Sequence, residues 1–209
     1  MDSFLDSMII VKYIEYNYIE EQLRKKCFEY IKSSNTKILI SFIVKEELRR
    51  VILQRKKMYE CVLRKIKNPT YEIDYTKTNF LNKGDAIFAQ NIYSKLKEKN
   101  IIKLKKEFDS EIDFLNVSVA LFLKNKVNEI SIKKSDLDHF ILSIVHEFIV
   151  DFADCRVLTS AMQMQQNRDI FFFVTADKHI DSGSYDFVEN DLRLKNHKKP
   201  KLKNLLFEN

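Results

Sequence analysis

The chain has 209 residues, with 45% hydrophobic and 12% aromatic side chains and 36 Lys plus Arg against 30 Asp plus Glu, a net charge of +6. So large an apolar fraction excludes disorder and sets the scale at one large domain, or a smaller domain carrying an insertion. Two glycines, Gly84 and Gly183, and two prolines, Pro69 and Pro200, are too few turn residues for an all-β sandwich or barrel, and they leave no phosphate loop or dinucleotide fingerprint.

In chain order, Ser3–Leu5 is a very short strand, and the pattern turns helical after Asp6. Helical spacing continues through IEEQLRKKCFEYIK, where Ile19, Leu23, Cys27 and Ile31 recur every four residues. SSNT interrupts it, and the isoleucine-rich KILISFIV reads as a second strand. KEELRRVILQRKKMYECVLRKI is helical and strongly charged on one side. NPTYEIDYTKTNFLNKGD reads as a loop by its Pro, Asn, Thr and Gly content. AIFAQNIYSKLKEK and SEIDFLNVSVALFLKNKVNEI read as helices joined by a linker around KNIIKLKKEFD. KKSDLDHFILSIVHEF opens a further helix with Ser135 as its N-cap, and ADCRVLTSAMQMQQNR forms the next. DIFFFVT is the last strand; beyond His179, DSGSYDF reads as a loop and RLKNHKKPKLKN as a basic tail.

Strands separated by helices imply parallel pairing through right-handed crossovers. The expected fold is therefore a helix-rich, three-layer α/β/α arrangement with a short parallel sheet. Residues 1–185 would form the domain, with a helical insertion at about 67–134, and 186–209 the tail.

Cys27, Cys61 and Cys155 are scattered, with no C-x-x-C pair, and read as reduced intracellular thiols rather than a disulfide framework or a zinc site. The opening MDSFLDSMIIVKYIEY has no basic leader and no small-residue cleavage site, and no apolar run reaches the length of a membrane span. A cytoplasmic protein with no membrane partner is expected, and the positive balance suits a polyanion.

Residues just beyond the carboxyl ends of the strands in an open parallel sheet share one crevice. Asp6 follows the first strand, Glu46 and Glu47 follow the second, Asp154 opens the helix that feeds the last strand, and Asp177 ends that strand. Such carboxylates repel one another unless a cation lies among them, and oxygen-only donors select hard ions, Mg²⁺ or Mn²⁺. One or two such ions lower the pKa of a bound water and neutralise a leaving oxygen, so a phosphodiester can be hydrolysed without a histidine or serine nucleophile.

In this respect the sequence resembles the PIN-domain nucleases, which include VapC-like toxins. FLDSMIIVKYI resembles their opening strand and first acid, Asp6 followed by Ser7. ISFIVKEELRR resembles the second motif, whose acid directly precedes a Leu and so selects Glu47 over Glu46. DCRVLTSAM resembles the third, with Asp154 followed by apolar Val157 and Ala161, and FFFVTADKHI the fourth, with Thr175 and Asp177. The likeness covers residues 3–57 and 136–180. It implies a Mg²⁺- or Mn²⁺-dependent endoribonuclease, often a homodimer and often the toxin that pairs with an antitoxin protein. Asp6, Glu47, Asp154 and Asp177 would hold the metal, with Ser7 and Thr175 in support.

Each residue also has a plainer reading. Asp6 and Asp154 could be helix caps, Glu47 a first-turn acid favoured by the helix dipole, and Asp177 a turn residue. Asp151 and Asp138 rival Asp154 as the third acid; Asp154 is preferred to Asp138 because only one helix then precedes the last strand. Lys45, Arg49, Arg50 and Arg55, in a basic run that continues to Lys56 and Lys57, could track an RNA backbone or simply face solvent. His146 does not begin a zinc motif, since Val150 stands where H-E-x-x-H needs its second histidine. The stripe Phe140, Ile144 and Phe148 is core or a dimer face. The rival functional readings are a PIN-like module that binds RNA or protein without cutting, and a purely helical interaction protein lacking strands at 37–43 and 170–175.

Overall fold

The computed structural model describes residues 2–15, 22–33, 37–74, 76, 81–166, 168 and 171–207. Its elements, in chain order, are β1 (Ser3–Leu5), α1 (Ser7–Glu15), α2 (Gln22–Ser33), β2 (Ile38–Ser41), α3 (Phe42–Lys67), α4 (Lys83–Leu96), α5 (Ile101–Asn125), β3 (Val127–Ser131), α6 (His139–Phe148), α7 (Phe152–Gln166), β4 (Phe172–Thr175), α8 (Ser182–Asn190) and β5 (Lys201–Asn204). They divide into two compact units, Met1–Leu48 with Leu121–Asn209, and Arg49–Ala120.

The first unit is built on a five-stranded, wholly parallel sheet in the order β3-β2-β1-β4-β5. β1 is its centre, with Phe4 opposite Leu39 on one side and Phe173 on the other. Three residues suffice there because the ladder runs past both ends of the strand. The Ser3 amide donates to the Lys37 carbonyl at 2.9 Å, and the Asp6 amide to the Val174 carbonyl at 3.0 Å. The Phe4 ring lies 6.5 Å from Phe171 and 6.0 Å from Phe173, and all three are buried. Strands covered on both faces need apolar side chains in both directions, which is why the interior strands read as continuous apolar runs.

Right-handed crossovers decide which face each helix covers. The chain steps one way along the sheet from β1 to β2 to β3 and the other way from β3 to β4 to β5. The rule puts α1 and α2 over one face and α6, α7 and α8 over the other, giving a three-layer α/β/α fold. α1 packs on α2 and β4, α7 on α6 and β2, and α8 on α6 and β5. Buried Ile9, Ile10 and Ile14 on α1 and Cys27 and Ile31 on α2 have helical spacing, and Tyr13 stacks on Phe28 at 5.5 Å. The stepping direction reverses between β1 and β4, and open α/β sheets hold ligands beyond the strand ends at such a reversal.

The second unit takes in the rest of α3, α4 and most of α5. Its core includes Met58, Val62, Ala89, Leu104 and Ile112, with the Tyr59 and Phe108 rings stacked at 4.0 Å. Asn82 and Asp85 form a reciprocal capping box at the start of α4.

Several local expectations are corrected. The second strand stops at Ser41 rather than Val44, because the Ser41 hydroxyl accepts the Val44 amide at 3.3 Å and starts α3 at Phe42. The linker expected near residues 99–109 lies largely inside α5, which begins where Asn100 accepts the amides of Ile102 and Lys103. VNEI, expected to end a helix, lies in strand β3, so the last part of the expected 67–134 insertion belongs to the sheet. The second unit, Arg49–Ala120, starts and ends earlier than that insertion. Ser135 sits in a 3-10 turn, and Asp138 caps α6 by accepting the Phe140 and Ile141 amides.

DSGSYDF is mostly helix, capped by Asp181, and the basic tail is not a tail: Lys201–Asn204 pair with β4 as the edge strand. Lysines suit that position because a charged edge resists pairing with another chain. Phe140 is 52% exposed although Ile144 is buried, so that stripe is only partly core. The helical pattern expected across residues 16–21 and the start of DIFFFVT at 169–170 lie outside the described residues. Among the described residues, no helix is long and apolar enough to cross a membrane.

Candidate metal centre

Asp6 stands where β1 ends and α1 begins, at the reversal between β1 and β4, and is 5% exposed. The Thr175 hydroxyl, at the end of β4, donates to Asp6 Oδ2 at 2.8 Å, and the Ser7 hydroxyl donates to Oδ1 at 3.3 Å. Thr175 Oγ1 also accepts the Asp177 amide at 3.0 Å. Asp177 is itself held in an Asx turn, its Oδ1 accepting the His179 amide at 2.7 Å. From β5, the Asn204 side-chain amide donates to the carbonyls of Asp177 and Ile180, both at 2.8 Å, and fixes the loop from the other side.

Asp154 lies in the first turn of α7 but does not cap it. Asp151 does, its Oδ1 accepting the Ala153 amide at 2.7 Å and the Asp154 amide at 3.4 Å. With Asp151 capping α7 and Asp138 capping α6, Asp154 is left without a structural task of that kind. Its Oδ2 is buried and has no hydrogen-bond partner among the described residues. His179 Nδ1 approaches that oxygen at 3.6 Å and Asp177 Oδ1 at 3.3 Å. Glu47, early in α3, is half-buried, whereas Glu46 is exposed.

Electrostatics tie the acids together. The Asp154 carboxyl is pushed up to about 8, first by burial and then by the charges of Asp177, Asp6, Asp151 and Glu47. Burial also raises Asp6, and Asp177 adds to the rise, against the hydrogen bonds from Thr175 and Ser7 that favour its ionised form. Like charges held this close destabilise the ionised set, and a divalent cation removes that cost. The residues present therefore fit a hard divalent ion: the donors are carboxylate oxygens, they repel one another, and one buried oxygen is unsatisfied.

The basic residues are divided. Lys45 is half-buried with Nζ 5.7 Å from the Phe42 ring, and Lys133, which sequence reasoning missed, lies 5.8 Å from the same ring. Arg49 and Arg50 are exposed and belong to the second unit, as does Arg55. Arg55 sits 3.5 Å from Glu111 and 5.2 Å from the Phe88 ring, so its charge is engaged in that unit's own packing, not held out for a phosphate.

His179 and Asn204 were also missed. The signal for His179 was its place two residues after Asp177, the spacing an Asx turn folds back; Asn204 offered none, since its role depends on β5 joining the sheet. The thiols offer no nucleophile: all three cysteines are buried and free, and burial pushes Cys27 and Cys155 up to about 12. Neither a protein-family model, nor a curated protein, nor a solved structure matches the chain.

Proposed function

We propose that the protein is a metal-dependent endoribonuclease of the PIN-domain kind. One observation supports the reading above the rest: Asp6, Glu47, Asp151 and Asp177, from four places in the sequence, all act electrostatically on the part-buried carboxyl of Asp154. Asp6, Glu47, Asp154 and Asp177 hold Mg²⁺ or Mn²⁺. Held there, such an ion would supply a water of lowered pKa and positive charge for the leaving oxygen of a phosphodiester.

The chain's own groups do the rest. Thr175 and Ser7 orient Asp6 and favour its ionised form against burial, Asn204 holds the Asp177 loop, and Lys45 and Lys133 offer positive charge to an RNA phosphate. A cytoplasmic setting, a homodimer and a protein antitoxin belong to the same reading.

The test is incubation of a mixed RNA pool with Mn²⁺ or Mg²⁺, comparing wild type with Asp6→Asn and Asp154→Asn, and with EDTA as control. Metal-dependent cutting lost in both variants is expected. Equal cutting by all three proteins would reveal a contaminating nuclease. Binding of RNA without cutting by the wild type would move the protein to a non-cutting RNA-binding role.

A further inference from the structure

Beside the buried carboxylates is a second donor set of different chemistry. One ligand atom each from Asp151, Asp154 and His179 lies within 4.8 Å of the others. We propose that these three residues form a rim site for a first-row transition-metal ion such as Co²⁺, Mn²⁺ or Zn²⁺, sharing Asp154 with the buried set. The inference rests on the metal-dependent reading above and adds to it a nitrogen ligand and a choice of ion.

The three residues are positioned by interactions of their own. Asp151 commits Oδ1 to the cap of α7, which fixes its carboxylate at the helix start. Asp154 Oδ2 is buried and without a hydrogen-bond partner among the described residues. The His179 backbone is fixed by the Asp177 side chain, and Asn204 braces the same loop. The imidazole Nδ1 then lies 3.6 Å from Asp154 Oδ2. That is long for a hydrogen bond, but close to the roughly 3.0–3.4 Å separating neighbouring ligand atoms around an ion with ~2.1 Å bonds.

Donor type decides the ion. Mg²⁺ is held by oxygen and gains little from an imidazole, whereas affinity for N/O sites rises along the first transition row. His179 and Asp151 are exposed, so an ion held there keeps open positions facing solvent, where a phosphate oxygen or water can bind.

Titration calorimetry of the RNA-free full chain with Co²⁺ and with Mg²⁺ tests the site, for wild type, His179→Ala and Asp151→Asn. Both positions are exposed, and Asn preserves the cap that Asp151 provides, so the fold should persist. Each variant should lose Co²⁺ affinity by about 10-fold or more while Mg²⁺ affinity stays within about twofold. The visible Co²⁺ spectrum should change in His179→Ala as nitrogen ligation is lost. Co²⁺ binding that is absent in the wild type, or unchanged in both variants, overturns the proposal. Co²⁺ binding indifferent to His179 and Asp151 but lost in Asp6→Asn would sink the rim site and leave the buried acid set standing. Dependence on His179 in a protein that cuts no RNA would support the rim site and sink the nuclease reading.

Discussion

Thr175 Oγ1 donates a 2.8 Å hydrogen bond to Asp6 Oδ2, joining residues 169 positions apart, and the same oxygen accepts the Asp177 amide at 3.0 Å. One buried hydroxyl therefore orients two of the candidate ligands. It does so from the last residue of β4, which is fixed by its ladder to β1.

Thr175→Val keeps the shape of the side chain and removes its donor and acceptor. The expected loss is about 1–3 kcal/mol of stability, since a buried carboxylate is left short of a partner. Mn²⁺ affinity should fall with it, and Thr175→Ser should restore most of both. Urea denaturation and calorimetry of the three proteins are the check; a valine variant with unchanged Mn²⁺ affinity would show that the hydroxyl does not position Asp6.

Asp6→Asn should separate stability from function. Burial already disfavours the Asp6 charge, so a neutral amide that can still meet Thr175 costs the metal-free protein nothing. A rise of about 2–4 °C in melting temperature at pH 8, equivalent to roughly 1 kcal/mol for a chain of this size, is expected together with loss of metal binding. A variant that melts lower than wild type in EDTA would contradict this.

The pH dependence of the metal-free protein follows from Asp154. Its carboxyl is raised from 3.8 to about 8 in the folded state, so between those values the folded protein holds a proton that the unfolded chain has released. Stability is then highest below the unfolded value and falls as pH rises towards 8. Asp6 shifts in the same direction. Melting curves in EDTA from pH 5 to 8 should therefore move down with pH, less so in Asp154→Asn, and excess Mn²⁺ should reverse the fall at pH 8.

Asn204 connects the edge strand to the site through its two bonds to the Asp177–Ile180 loop. Asn204→Ala should cost about 1–3 kcal/mol, because one buried and one part-buried carbonyl lose their donor, and should weaken metal binding although the residue touches no candidate ligand side chain. Metal affinity equal to wild type in this variant would show that the loop holds its shape without β5.

The sequence by itself determined the class of the fold and the positions of its acids. The apolar runs at Phe4, Ile38–Ile40 and Phe171–Val174 are long enough only for short buried strands, and the helices between them leave parallel pairing as the economical solution. An acid after each of those strands was visible for the same reason, since Asp6 and Asp177 stand within three residues of their runs and Glu47 lies early in the helix that follows Ile38–Ile40.

Tertiary structure decided what local pattern could not. VNEIS and KLKN carry too few apolar residues to announce strands, and they become strands because the edges of a parallel sheet accept half-exposed ones. Which of Asp138, Asp151 and Asp154 caps a helix was likewise decided by packing: Asp138 and Asp151 each give an oxygen to helix amides, whereas Asp154, which caps none, is raised by burial and by the charges of Asp177, Asp6, Asp151 and Glu47. His179 comes near Asp154 the same way, because a side chain four residues past β4 reaches a carboxylate on another element only when the fold brings them together.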